Sequence, residues 1–121
     1  MKDFGVADSV GFLKKRFPQQ VMLDDLKTID EGEYEFQQVF DAGADIAAVM
    51  GTASYPTVRA CRKTARECHR EYTIDLLGVD RGEIKAPAIF DDAIFCLHLP
   101  GDCGGAGLIG LKSFHFSSLL E

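Results

Sequence analysis

The sequence predicts an α/β fold built on a parallel sheet, and three observations predict it. Short apolar runs recur at residues 21–23, 45–50, 72–77 and 93–97. Segments with apolar residues at helical spacing lie between them. Within the runs, apolar residues follow one another without polar alternation, as in strands covered on both faces.

The elements follow in order. Residues 9–17 read as a helix, with Val10, Leu13 and Phe17 on one face and cations opposite; Pro18 ends it. Val21, Met22 and Leu23 form a first strand, capped by Asp24 and Asp25. Residues 31–42 read as a second helix with Tyr34, Phe36, Val39, Phe40 and Ala42 on its apolar face, and Gly43 as a C-cap. Residues 45–50 make an unbroken second strand, followed by Gly51 and Thr52. Residues 55–69 give a third helix with Pro56 near its first turn. Residues 72–77 are a third strand, broken by Gly78. A short helix at 82–90 is disturbed by Pro87, and residues 93–97 form a fourth strand closed by His98. The tail from 101 to 110 holds five glycines, and a last helix starts at Ser113.

Strands alternate with helices at the spacing of one βα unit, so right-handed crossovers are expected. No linker or composition shift divides the chain, which predicts one domain over 1–121. Two architectures fit: a doubly wound open sheet, or part of a (β/α)8 barrel. A full barrel takes about 200 residues or more. With 121 residues and about four units, this chain cannot close one alone.

Composition narrows the function classes. With 46% hydrophobic and 26% charged residues the chain is ordinary globular material. Its net charge of −6 argues against nucleic acid as a partner. Arg59, Arg62, Lys63 and Arg66 form a local basic cluster at helical spacing, diluted by Glu67 and Glu71. It reads as a solvated helix face, with an anionic-ligand patch as the sharper alternative. No long apolar run predicts a membrane span, and the first residues lack a signal-peptide core. The cytoplasm is the expected compartment. Cys61, Cys68, Cys96 and Cys103 are too widely spaced for a C-x-x-C clamp and read as buried free thiols; a zinc site with His69 is the alternative.

Parallel α/β folds place chemistry at the carboxyl ends of their strands. Those ends carry Asp25, Lys27 and Asp30, then Gly51 and Thr52, then Asp75, then His98. Extended alternation puts Asp25 and Lys27 on one face, where the carboxylate can bind a cation and the ammonium can stabilise an oxyanion. Spacing alone also allows a helix-entry cluster, with Asp30 as N-cap and Glu31 and Glu33 in the first turn. Asp75 ends up nearly buried, which demands Lys27 or a metal as partner. His98 is a proton donor or acceptor at the pocket mouth, or a packed histidine bonded to backbone. The glycines from 101 to 110 form a phosphate-cradling or a flexible loop.

Asp25, Lys27, Asp30, Gly32 and Glu35 fall in the pattern D-x-K-x-x-D-x-G-x-x-E. Phe40 to Ile46, Gly51, the run from Ile74 to Val79, and His98 continue it. Over about residues 4–103 the chain resembles the 3-hexulose-6-phosphate synthase and 3-keto-L-gulonate-6-phosphate decarboxylase family, grouped with orotidine 5′-phosphate decarboxylase. The resemblance implies a partial TIM-type (β/α)8 barrel, roughly its strands 3 to 6. It implies a dimeric Mg²⁺-dependent lyase acting on a sugar phosphate through an enediolate. It assigns Asp25 to the metal and Lys27 to the enediolate or a proton relay. Asp30 would reach a neighbouring subunit's site, Asp75 would hold the reacting region, and His98 would assist proton transfer. Glu31-Gly32 departs from the Ile-Pro of the orotidine enzyme. Asp75 departs from the usual Glu, and Gly101 from the usual Arg, of the keto-gulonate enzyme, which leaves the synthase as the nearest pattern. The first two barrel strands, with one acidic metal ligand, and the last two, whose loops hold phosphate, are expected to lie outside this chain.

Overall fold

A computed structural model describes residues 5–80, 82–83, 89–98 and 100–101. The order is α1 (Val6–Arg16), β1 (Leu23–Thr28), α2 (Gly32–Asp41), β2 (Ile46–Met50), α3 (Tyr55–Glu67), β3 (Glu71–Asp75) and β4 (Ile94–Cys96). The strands form one sheet in the order β1-β2-β3-β4, all parallel. Sequence-adjacent strands are therefore spatial neighbours, as the repeating βα units predict. The expected helix at 82–90, the glycine tail after Gly101 and the helix from Ser113 lie wholly or largely outside the described residues.

The core fills the space between one face of the sheet and the helices. Ala47 and Val49, Tyr72 and Ile74, and Phe95 point into it from the strands; Phe36, Val39, Val58, Cys61 and Ala65 meet them from α2 and α3. Ser54 caps α3 by accepting a hydrogen bond from the Thr57 amide at 3.3 Å, and Pro56 sits in the first turn as expected. Gly43, at φ 111°, follows the C-cap of α2 in the left-handed region, where its amide and that of Ala44 satisfy the last helical carbonyls.

Four expectations need correction. β1 starts at Leu23 and runs through Thr28, because Asp24 and Thr28 pair with β2. The N-cap of α2 is Glu31, not Asp30: Glu31 turns the chain in a left-handed conformation, leaving Asp30 on an exposed bend. On α1 only Val10 is buried; Leu13 is 46% and Phe17 50% exposed, because the helix meets α2 rather than the sheet core. Asp45 precedes β2 instead of opening it: its carboxylate accepts from the Met22 amide at 2.8 Å and pairs with Lys14 at 2.8 Å and Arg70 at 3.1 Å. The Lys14 bond, then the Met22 amide, hold that carboxyl below its ordinary value.

Two cations of the basic cluster on α3 form a structural latch, while Lys63 lies on the solvated face and pairs with Glu67. Arg62 and Arg66 both grip Asp92, and Tyr72 Oη donates to the same carboxylate at 2.6 Å. Cys61 is fully buried, as expected, whereas Cys68 and Cys96 are only partly buried; all three are free. Cys103 lies outside the described residues.

Candidate active site

The site is built at the carboxyl ends of the strands, on the face of the sheet opposite the helices. Register pairs Asp75 with Cys96, and Thr73 with Ile94, so these side chains share that face. Asp75 is the centre. Its Oδ2 lies 3.1 Å from Lys27 Nζ and 3.1 Å from His98 Nδ1, and its Oδ1 accepts from the Leu77 amide at 2.9 Å. Lys27 Nζ also reaches Asp25 Oδ2 at 3.0 Å. The structure thus brings together Asp25, Lys27, Asp75 and His98. Asp30 stays outside, exposed between β1 and α2.

Regular alternation does not explain how Lys27 gets there. The ladder between β1 and β2 slips between Asp24 and Thr28, and Lys27 has φ 52°. A lysine in the left-handed region is strained, and such strain gathers where a side chain must be aimed. The segment is pinned beyond it: Thr28 Oγ1 donates to Glu35 of α2. Gly32 then admits α2 against α3, since a Cβ there would stand 2.5 Å from Cys61 Sγ and 2.9 Å from the Thr57 carbonyl. Gly51 does similar work beside the site, as its amide donates to the Asp75 carbonyl at 2.7 Å.

Electrostatics follow from this wiring. Burial pushes the Asp75 carboxyl up, but the bonds from His98, the Leu77 amide and Lys27 outweigh it, so Asp75 titrates below its ordinary value and stays ionised. Burial pushes Lys27 down, but Asp25 and then Asp75 outweigh it and raise it. Asp24, on the helix-facing side, is raised by burial and then by Asp25, and its Oδ1 has no partner. Sequence reasoning missed the Asp24 burial and the slip in β1; nothing in a run of two aspartates announces either.

Among the described residues no three His, Cys, Asp or Glu side chains gather as a ready-made metal cage, which also removes the zinc reading there. Asp25 is a hard oxygen donor with its side chain 54% exposed. It fits an Mg²⁺ ion of the kind held by one or two carboxylates, with water and substrate oxygens completing the shell.

The family model described as "Orotidine 5'-phosphate decarboxylase / HUMPS family" matches residues 1–94. The chain belongs to this family. Among its relatives, 3-hexulose-6-phosphate synthase of Bacillus subtilis (strain 168) is 32% identical over 99 residues, which is 78% of this chain and 46% of that one. The probable 3-keto-L-gulonate-6-phosphate decarboxylase of Haemophilus influenzae is 37% identical over 62 residues, 51% of this chain and 28% of that one. The solved 3-hexulose-6-phosphate synthase from Salmonella typhimurium superimposes with a TM-score of 0.74 at 26% identity, covering 79% of this chain and 46% of that one. The chain spans less than half the length of the first curated relatives it matches. Its four parallel strands with their crossover helices are accordingly part of the family's (β/α)8 barrel, and the doubly wound alternative falls. Among the described residues no helix is long and apolar enough to cross a membrane.

Proposed function

We propose that this chain carries half of the catalytic machinery of a sugar-phosphate lyase of the 3-hexulose-6-phosphate synthase type. The reaction is the reversible aldol addition of formaldehyde to ribulose 5-phosphate. The observation that carries this reading is the Lys27–Asp75–His98 relay at the strand ends, with one carboxylate oxygen shared by a cation and an imidazole.

Each residue then has a task. Lys27, kept cationic by Asp25 and Asp75, faces the enediolate oxygen and lowers the energy of its negative charge. Asp75 aims both Lys27 and His98. His98 carries a proton to or from the reacting centre. Asp25 would hold Mg²⁺, which when bound supplies Lewis-acid stabilisation of the enediolate. Asp30, exposed and turned from this cluster, fits a role at a neighbouring subunit's site in a homodimer or higher homo-oligomer. Cytoplasmic residence belongs to the same reading. Asp at position 75, with Gly101 where the keto-gulonate decarboxylase pattern has Arg, favours the synthase over decarboxylation.

The test is an aldol-cleavage assay with hexulose 6-phosphate and Mg²⁺, reading released formaldehyde, with Lys27→Ala as control. Release that is lost in the variant supports the lyase. No release at high protein concentration leaves a non-catalytic barrel fragment that associates through its sheet edges. Carbon dioxide from keto-gulonate phosphate or orotidine 5′-phosphate instead would move the chain to a decarboxylase.

A further inference from the structure

Beneath the relay lies a small cavity of about 140 Å³. Asp25, Asp75 and His98 line it together with Leu23, Ala48, Thr73 and Cys96. Thr73 is 2% exposed, and its Oγ1 makes no hydrogen bond in the structure. A buried hydroxyl without a partner costs about 1–3 kcal/mol. A valine would fill the same volume without that cost, so the hydroxyl calls for a ligand.

We propose that this cavity is the subsite for the one-carbon aldehyde, with Thr73 Oγ1 donating a hydrogen bond to the aldehyde oxygen. The proposal rests on the aldol reading above and names where its second substrate sits. Size supports it. Pockets that hold larger molecules start at about 300 Å³, so the space bounded by the four strands suits a small co-substrate, with the sugar phosphate held beside the relay. Chemistry supports it as well. Its inner wall offers the Thr73 hydroxyl, with the weak thiol donor of Cys96 beside it, among apolar neighbours, which suits a small carbonyl compound. An ordered water asks for roughly two to four polar partners.

Placement completes the argument. Thr73 lies two residues before Asp75 on the same face of β3, so the cavity opens toward the point where Lys27, Asp75 and His98 converge. There the enediolate carbon of the sugar adds to the aldehyde carbon. A carbon–carbon bond forms, the carbonyl π pair moves onto the aldehyde oxygen, and the resulting alkoxide takes a proton delivered through His98. Thr73 is thus a positioning and specificity residue for the aldehyde, and it makes no bond to the sugar.

The experiment titrates the full chain with formaldehyde, following the methyl NMR signals of Thr73 and Ala48. Intact mass after dilution separates reversible occupancy from covalent adducts on lysine or cysteine. Saturable, reversible shifts are expected in the native chain. They should be retained in Thr73→Ser and weakened about five-fold in Thr73→Val, the equivalent of a hydrogen bond worth about 1 kcal/mol. In turnover, Thr73→Val should raise KM for formaldehyde by the same factor and leave KM for ribulose 5-phosphate unchanged. Absent shifts, shifts that appear only with irreversible mass gain, or equal affinity in Thr73→Val overturn the subsite. Saturation without any turnover upholds the subsite and sinks the lyase reading; turnover with an unchanged formaldehyde KM in Thr73→Val does the reverse.

Discussion

Lys27 Nζ of β1 and Asp75 Oδ2 of β3 stand 3.1 Å apart across the intervening strand β2. The carboxylate side chain is 4% exposed and the lysine side chain 40%. One end of the pair is therefore anchored in the protein and the other faces the solvent side of the site, where a substrate arrives.

Removing the cation should cost both activity and stability. Lys27→Ala should lower formaldehyde release by roughly 10²-fold or more, the usual contribution of a charge-stabilising or proton-moving group. Lys27→Met strips one charged donor from Asp75 but leaves His98 and the Leu77 amide, so unfolding free energy should drop by about 1.5–3 kcal/mol. Denaturant titration beside the release assay checks both. A variant with full activity would remove Lys27 from the mechanism.

Stability should depend on Asp75 at acid pH. Its folded carboxyl titrates below the unfolded value of 3.8. The stabilisation is thus fully present above pH ~4 and is lost as pH falls through the lower folded value. Asp75→Asn removes this slope. Unfolding midpoints measured from neutral pH down to pH ~3 should fall more steeply in the native chain than in the variant; parallel curves would contradict the wiring.

Gly32→Ala pits two effects against each other. Alanine ordinarily favours a helix over glycine by about 0.5–1 kcal/mol. Here its Cβ would sit 2.9 Å from the Thr57 backbone carbonyl, which cannot swing aside. Overpacking of this kind costs about 1–3 kcal/mol, so net destabilisation is expected in thermal or denaturant unfolding. A stabilised variant would mean that α2 and α3 are free to separate.

Thiol chemistry should sort the cysteines. Cys61 is 0% exposed, and burial, then Glu35, pushes its thiol up to about 12. Reaction requires the thiolate. Cys61 should stay unmodified by iodoacetamide at mildly alkaline pH until the chain unfolds, while the partly exposed Cys68 reacts. Peptide mass mapping of native and denatured protein reads the difference, and early loss of Cys61 thiol would show that the core opens locally.

The parallel α/β class was legible because unbroken apolar runs separated by helical periodicity leave few other arrangements. The site was legible in part for a thermodynamic reason: an aspartate at the end of such a run cannot be buried alone, so Asp75 called for Lys27 or a metal, and the structure supplies Lys27 and His98. His98 and Asp25 followed from their place at strand ends. Asp30 did not join them, because the left-handed Glu31 swings it to the surface, and lysine and glutamate carry no sequence signal for positive φ. The hubs at Asp45 and Asp92 were equally hidden. Their partners, such as Lys14 and Arg62, lie some thirty residues away in the chain.

What the sequence alone determined is local: which segments are strands, which are helices, and which ionisable groups end the strands. Only the tertiary structure decided which of those groups meet, where the β1 ladder slips, and that Thr73 turns an unsatisfied hydroxyl into a cavity. The physical reason is distance. Hydrophobic periodicity is written over neighbouring residues. A hydrogen bond between β1 and β3 depends on register, twist and close approach across the sheet, and the whole chain sets these together.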